Sequence, residues 1–108
     1  MRLTELEPRF LKRLDDYNFK FVDSIQEADG VEFLCPKCWI ANKGPVGTHM
    51  VICWSPSVPQ TTRPIPGRWK LVGTGYHDLS LIAGSSSVLL TSGCRWHGFV
   101  TAGEVSGA

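Results

Sequence analysis

Short runs of alternating apolar and polar residues recur along this chain and predict a domain built mainly of β-strands. The clearest run covers 48–54, where Val, Ile and Trp give strong strand character. Turn-forming Gly, Pro, Asn and Ser separate the runs, as expected for short strands joined by loops. The other predicted strands cover 17–22, 31–34, 69–72, 79–82 and 87–90, and a closing hairpin joins 99–101 to 104–105.

The N-terminal segment 1–27 has a different pattern, which predicts a helix. Thr4 is followed three residues later by Glu7, as in a capping box. The apolar residues after this pair recur at helical spacing. They are Leu6, Phe10 and Leu14. We therefore expect a short amphipathic helix over 5–15, followed by a β-rich core over 28–105.

Residues 55–68 contain four prolines separated mainly by Ser and Thr. Proline has no N–H to donate to a neighbouring strand, so this composition excludes a central strand and predicts an extended surface loop. Disorder or contact with a partner is expected here. The fold class that follows is α+β, mainly β, in one small domain over 1–108.

Length, charge and the absence of long apolar runs exclude several classes of protein. A chain of 108 residues forms one domain, and 11 Lys and Arg against 10 Asp and Glu give no overall charge that would attract a polyanion. No apolar run approaches the roughly 20 residues of a membrane-spanning helix, so no membrane partner is expected. The charged N-terminus does not fit a secretion signal. We therefore expect a reducing cytoplasm, where paired cysteines hold metal more often than they form disulfides.

Two short motifs carry the candidate chemistry. Cys35 and Cys38 lie three positions apart, and so do Cys94 and His97. Three thiolates and one imidazole are a tetrahedral ligand set typical of Zn²⁺. The spacing predicts a closed structural zinc site that resembles a zinc ribbon, with two ligand turns joined by a long β-rich insert. Four alternatives stay open at this point: a disulfide or redox pair, an iron site, a catalytic zinc that keeps one position for water, and no site at all.

Three other residues could be considered as ligands or catalytic groups. His49 and Cys53 lie in one predicted strand, where their Cα atoms would be about 13 Å apart at about 3.3 Å per residue, so they cannot share one ion. Cys53 is interpreted as a small buried hydrophobe and His49 as a core or loop histidine. His77 precedes Asp78, but neighbouring strand residues point to opposite faces, which favours an exposed turn histidine.

No complete catalytic motif is present, which favours a binding protein over an enzyme. The chain has neither a serine nucleophile elbow nor a phosphate-binding glycine loop. One alternative is a metal-dependent hydrolase in which His49 or His77 approaches an open zinc. Another is a single-stranded nucleic-acid binder, in which basic residues and tryptophans form a stacking surface. The residues for that surface are Lys37, Lys43, Arg63, Arg68, Lys70 and Arg95 with Trp39, Trp54, Trp69 and Trp96.

Five motifs between residues 28 and 105 carry a resemblance to a known family. They are Phe33-Leu34-Cys35-Pro36-x-Cys38, Gly47-Thr48-His49 leading to Cys53-Trp54, Pro66-Gly67-Arg68-Trp69, Gly73-Thr74-Gly75 with Asp78-Leu79, and Gly93-Cys94-x-Trp96-His97-Gly98-Phe99-Val100. With these motifs the chain resembles a family of small zinc-binding proteins encoded by tailed bacteriophages and prophages.

The resemblance implies a phage origin and the same ligand set, with no established reaction. It implies a protein that acts in the bacterial host cytoplasm or is associated with the virion, with a host or phage protein as its partner. Such proteins often carry the label ammonia monooxygenase. We do not expect that activity, because an enzyme of that name is an integral membrane metalloprotein and no segment of this chain can span a bilayer.

Overall fold

Antiparallel β-strands are the main regular elements of the computed structural model, which describes residues 1–64, 67–83, 88–89 and 94–107. Within these residues, nine short strands and one α-helix lie in a single compact domain. The predicted class, α+β and mainly β, is therefore confirmed. The strands are β1 (Arg9–Arg13), β2 (Phe19–Val22), β3 (Gly30–Leu34), β4 (Met50–Trp54), β5 (Lys70–Val72), β6 (Ser80–Ile82), β7 (Val88–Leu89), β8 (His97–Thr101) and β9 (Glu104–Gly107), and the helix is α1 (Pro36–Asn42).

The strands form three sheets whose pairing follows the order of the chain closely. The largest has the order β2-β1-β3-β4, and the others are β5-β6 and β7-β8-β9. All pairs are antiparallel. Each predicted strand therefore has a counterpart, including the closing hairpin β8-β9. Residues 87 and 90 of the predicted strand 87–90 lie outside the described residues.

The predicted N-terminal helix over 5–15 is wrong. A short 3-10 helix, Leu3–Leu6, is followed directly by strand β1. Phe10 and Leu11 are adjacent and both buried, because β1 lies between β2 and β3 and has apolar cover on each face of the sheet. A strand that is buried on both faces carries consecutive apolar residues. In this segment the resulting apolar pattern is also compatible with an amphipathic helix.

The α-helix begins instead directly after Cys35 and includes Cys38. Cys35 is the N-cap of α1 and Pro36 occupies the first helical position, where a missing N–H costs least. The helix ends where Lys43 takes a left-handed conformation with φ 56°. The predicted tight turn around the first cysteine pair is thus the start of a two-turn helix.

Two hydrophobic clusters hold the domain together. The larger one includes residues of the four-stranded sheet and of the C-terminal sheet, and Phe33 meets Trp96 edge to face at 6.1 Å between ring centroids. The smaller one lies on the opposite face of the four-stranded sheet, where Leu11 and Trp54 are covered by Val58 of the proline-rich loop. The loop therefore shields one face of the sheet.

Arg68 links several parts of the proline-rich loop to one another. The guanidinium of Arg68 donates hydrogen bonds to five backbone carbonyls of its own loop, which uses all five of its N–H groups. The acceptors belong to Val58 (3.2 Å), Pro59 (2.6 Å), Thr62 (2.9 Å), Pro64 (3.1 Å) and Gly67 (2.8 Å). Positions 65–66 of the loop lie outside the described residues.

Arg68→Lys is expected to lower the free energy of unfolding by about 2 kcal/mol, because an ammonium has three donors and cannot reproduce the planar fork. Urea unfolding monitored by tryptophan fluorescence would measure the change. Arg63→Lys is the matched control, since the same substitution falls in the same loop on an exposed side chain. Equal midpoints for the two variants would contradict the role given to Arg68.

Candidate metal centre

The register of the β3-β4 pair places Cys35 and His49 side by side. Leu34 is paired with Met50 at the end of the ladder, so the next residues on each strand face one another. The N–H of Cys35 donates a hydrogen bond to the carbonyl of His49 at 2.9 Å. Two candidate ligands are therefore positioned by the backbone of one hairpin.

Helix α1 supplies the second thiol. Cys38 lies in its first turn, three residues after the N-cap Cys35. The N–H of Trp39 donates to the carbonyl of Cys35 at 2.8 Å, which closes that turn. A first helical turn started by Pro36 thus brings both sulfurs to one side of the chain.

Cys94 comes from the distant segment that leads into β8. The ammonium of Lys37 donates to the carbonyl of Cys94 at 2.7 Å, which ties this segment to the start of α1. Two residues later the indole of Trp96 is buried against Phe33. The large rings act as a hydrophobic wall beside the thiol cluster.

The ligand atoms of Cys35, Cys38, His49 and Cys94 all lie within 4.8 Å of one another. The sulfur of Cys94 is 3.3 Å from the sulfur of Cys35 and 3.1 Å from Nε2 of His49. Around a tetrahedral Zn²⁺, donor atoms at about 2.3 Å from the metal stand about 3.7 Å apart. This Cys3His group is therefore compatible with a bound metal such as zinc.

Burial and hydrogen bonding give the three thiols different acidities. Burial raises the pKa of Cys35 to about 12, and burial also raises the pKa of Cys38. Burial opposes ionisation of Cys94 too, but hydrogen bonds with His49 and Cys35 lower its pKa to about 6. One thiolate is thus present at neutral pH to attract a cation. The other two thiols lose their protons when the metal binds.

Sequence spacing predicted His97 as the fourth ligand, whereas the structure brings His49 to the three cysteines. His97 belongs to β8 and is exposed, with its ring near Phe99 at 6.4 Å between centroids. The side chains of neighbouring strand residues alternate between faces, so the burial of Trp96 turns His97 outward. The second predicted ligand turn therefore contributes Cys94 alone.

A signal for His49 was present in the sequence. Cys35 directly follows one predicted strand, and His49 stands at the start of the next. Antiparallel neighbours place the end of one strand beside the start of the other, so a hairpin made from them brings these two residues together. The local Cys94-x-x-His97 spacing is the more obvious signal along the chain.

The remaining candidate residues have roles outside the cluster. Cys53 is fully buried on β4 opposite Val31, where burial raises its pKa, as expected for a small core residue. His77 is exposed. The carboxylate of Asp78 lies 4.0 Å from Nε2 of His77, which is beyond hydrogen-bond distance. It accepts hydrogen bonds from the N–H groups of Thr74 and Gly75 and from the Thr74 hydroxyl, which lower its pKa to about 2.

Most of the predicted aromatic surface for nucleic acid is inside the protein. Trp54, Trp69 and Trp96 are buried, and Trp39 is half-buried. Two of the predicted basic contacts, Lys37 and Arg68, donate to backbone carbonyls. Stacking on bases requires exposed ring faces, and these three indoles do not offer them.

An apolar cavity adjoins helix α1. It has a volume of about 460 Å³, and Pro36, Lys37 and Ile40 of α1 line it together with Trp96 and the start and end of the described chain. Ile40 is 66% exposed at its edge. The cavity falls in the size range of ligand pockets and lies beside the helix that carries Cys38.

Comparison with protein-family models, with curated proteins and with solved structures finds no match for this chain. Among the described residues, no helix has the length and apolar character needed to cross a bilayer.

Proposed function

We propose that this protein is a small zinc-stabilised accessory protein of a phage or prophage that binds a macromolecular partner, and that the zinc is structural. The convergence of four protein donor atoms from β3, α1, the start of β4 and the segment before β8 carries the proposal. A site with four protein ligands leaves no position for a substrate or a reactive water.

The choice of zinc follows from the donor set. Thiolates with one imidazole suit Zn²⁺ and disfavour Mg²⁺ or Ca²⁺, which prefer oxygen. All four cysteines are free thiols, so three of them are available as ligands. Iron on thiolates is the lesser choice when one donor is a histidine and no further cysteine lies in the cluster.

The hydrolase alternative needs an open metal position and a nearby base. His49 is the exposed member of the cluster, so it is the ligand whose departure would admit water. Its Nε2 lies 3.1 Å from the sulfur of Cys94, however, and a histidine that holds the metal cannot also accept a proton from water. A structural site uses every group of the cluster, which makes it the simpler proposal.

A protein partner fits this chain better than a nucleic acid does. The net charge is only +1, and three of the four tryptophans are buried. The apolar cavity beside α1 and the proline-rich loop are the surfaces we expect a host or phage protein to contact. From the resemblance to small proteins of tailed phages, we infer that it acts in the infected bacterial cytoplasm or on the virion.

Removal of the metal tests the structural role. We expect native mass spectrometry to find one zinc per chain, and a strong chelator to abolish the near-ultraviolet circular dichroism and the cooperative melting transition. Restoration of both by added Zn²⁺ would exclude damage by the chelator. An unchanged melting temperature after complete removal of the metal would refute the structural role. The same mass spectra, recorded on protein purified from its host, would report a retained partner.

A further inference from the structure

The four residues of the metal cluster differ in their access to solvent. Cys35 is fully buried, Cys38 and Cys94 are half-buried, and His49 is exposed. Nε2 of His49 lies 3.1 Å from the sulfur of Cys94, so this sulfur lies at the exposed side of the cluster. Thiolates are the form of cysteine that metal ions bind and that oxidants attack. A small oxidant in solution can therefore reach Cys94, whereas Cys35 is shielded from it.

The sulfur of Cys94 is in direct contact with the buried sulfur of Cys35. The two atoms are 3.3 Å apart, and both residues are free thiols. The backbone around them is held together as well, because the ammonium of Lys37 donates to the carbonyl of Cys94 at 2.7 Å. A disulfide bond is about 2.0 Å long, so the two sulfurs need to approach by only about 1.3 Å to form one.

A bond between Cys35 and Cys94 would join the same two parts of the chain as the metal does. Cys35 directly follows β3, Cys94 precedes β8, and 59 residues separate them. Cross-linking residues this far apart restricts the unfolded chain and so stabilises the fold. The bond would also remove two of the four donors, and Cys38 and His49 alone complete only half of a tetrahedral site.

We propose that the Cys35–Cys94 pair is a peroxide-sensitive switch, in which a disulfide replaces the metal as the link between β3 and the C-terminal sheet. This inference rests on the metal site of the proposed function and adds a form of regulation to it. The oxidised protein is folded and free of zinc, and the reduced protein takes up zinc again. The cluster thus releases one zinc ion for each molecule of peroxide that it consumes.

The reaction uses hydrogen peroxide as the oxidant and passes through a sulfenic acid. The thiolate of Cys94 attacks one oxygen of the peroxide, the O–O bond breaks, and hydroxide leaves. The thiolate of Cys35 then attacks the sulfur of Cys94, the S–O bond breaks, and a second hydroxide leaves. The two sulfurs have lost two electrons, and the peroxide has gained them and becomes water once each hydroxide takes up a proton. A dithiol reductant reverses the change by thiol–disulfide exchange.

Treatment of the zinc-loaded protein with hydrogen peroxide tests the proposal. We expect a chromogenic zinc indicator to report complete loss of zinc, in step with a disulfide mapped by mass spectrometry. Trypsin cleaves after Lys37 and so places Cys35, Cys38 and Cys94 in the separate peptides 21–37, 38–43 and 71–95. Peptides 21–37 and 71–95 should be linked. The oxidised, zinc-free protein should keep a cooperative melting transition, and dithiothreitol with added Zn²⁺ should restore the starting state.

Two serine variants separate the disulfide from the metal. Cys38→Ser and Cys94→Ser each remove one half-buried ligand of the cluster. After refolding without zinc in the presence of oxidised glutathione, Cys38→Ser should form the Cys35–Cys94 bond and melt cooperatively, whereas Cys94→Ser should not. Cys53→Ser is the control, because Cys53 is fully buried outside the cluster and this variant should respond to peroxide like the unchanged protein.

Retention of zinc after peroxide treatment, a disulfide that includes Cys38 or Cys53, or a sulfinic acid at Cys94 in place of the disulfide would each overturn the proposal. An unfolded oxidised protein, or equal behaviour of Cys38→Ser and Cys94→Ser, would overturn it too. The reduced protein is unaffected by these results, so its zinc content and its response to a chelator test the proposed function separately. A protein that holds no zinc fails the proposed function before any peroxide is added.

Discussion

Cys35→Ser is expected to leave the protein unfolded. Cys35 is fully buried, directly follows β3, caps α1 and lies beside Cys94 from the far end of the chain. Structural zinc contributes on the order of 10 kcal/mol of apparent binding free energy, which is comparable with the whole stability of a small domain. Loss of one buried ligand removes much of that contribution. Far-ultraviolet circular dichroism and metal analysis of the purified variant would measure the result.

Cys53→Ser provides the matched control for this prediction. It makes the same chemical change at an equally buried cysteine that is not in the cluster. A buried hydroxyl without a partner costs about 1 to 3 kcal/mol, so this variant should remain folded and keep its zinc. A folded, zinc-loaded Cys35→Ser protein would show that the cluster does not hold the fold together.

His49→Ala should weaken metal binding by more than about a hundredfold, because loss of a direct ligand exceeds the effect of losing an outer hydrogen-bond partner. His97→Ala should leave the affinity unchanged, since His97 is exposed on β8. The two variants make the same substitution at the two candidate fourth ligands. Titration with Co²⁺ would report the affinity, and its visible spectrum would report the number of thiolate ligands.

The opposite result for the two histidine variants would identify His97 as the fourth ligand. If His97→Ala lost the metal and His49→Ala kept it, the ligand set would be Cys35, Cys38, Cys94 and His97, as the sequence spacing predicted. The fold around the cluster would then have to differ at the start of β8. Loss of metal in both variants would indicate exchange of the two histidines at one position.

The sequence predicted the strands well because each is a short apolar run between turn-forming residues. It failed at β1, where Phe10 and Leu11 are buried on opposite faces of the sheet. Only the arrangement of neighbouring strands reveals that both faces have cover. A strand in the middle of a sheet and a short helix can therefore share one apolar pattern.

The cysteines of the site were predictable from their spacing, but the histidine was not. Ligand spacing along the chain carries information when a turn or helix start joins the ligands, as it does for Cys35 and Cys38. Ligand spacing carries no such information when the ligands belong to an extended strand, as His97 does. The role of His49 depends on pairing between two strands, and the sequence indicates that pairing only indirectly.

The environments of Arg68 and Glu32 could not be predicted from local patterns. The mixture of basic residues and tryptophans predicts Arg68 on a basic surface, yet its guanidinium is surrounded by carbonyls of its own loop. Glu32 fits the alternation of an ordinary strand, in which a polar residue faces solvent, yet it is only 7% exposed. Both environments form only in the folded chain.

The β3-β4 hairpin implies an order of assembly for the domain. Cys35, Cys38 and His49 are within 15 residues of one another, whereas 59 residues separate Cys35 from Cys94. Closing a short loop costs less entropy than closing a long one, so the early part of the chain can capture a cation with three donors first. The captured ion then serves as an anchor that recruits the C-terminal sheet. Metal supply would thus govern how fast the newly made protein matures, as well as how firmly it stays folded.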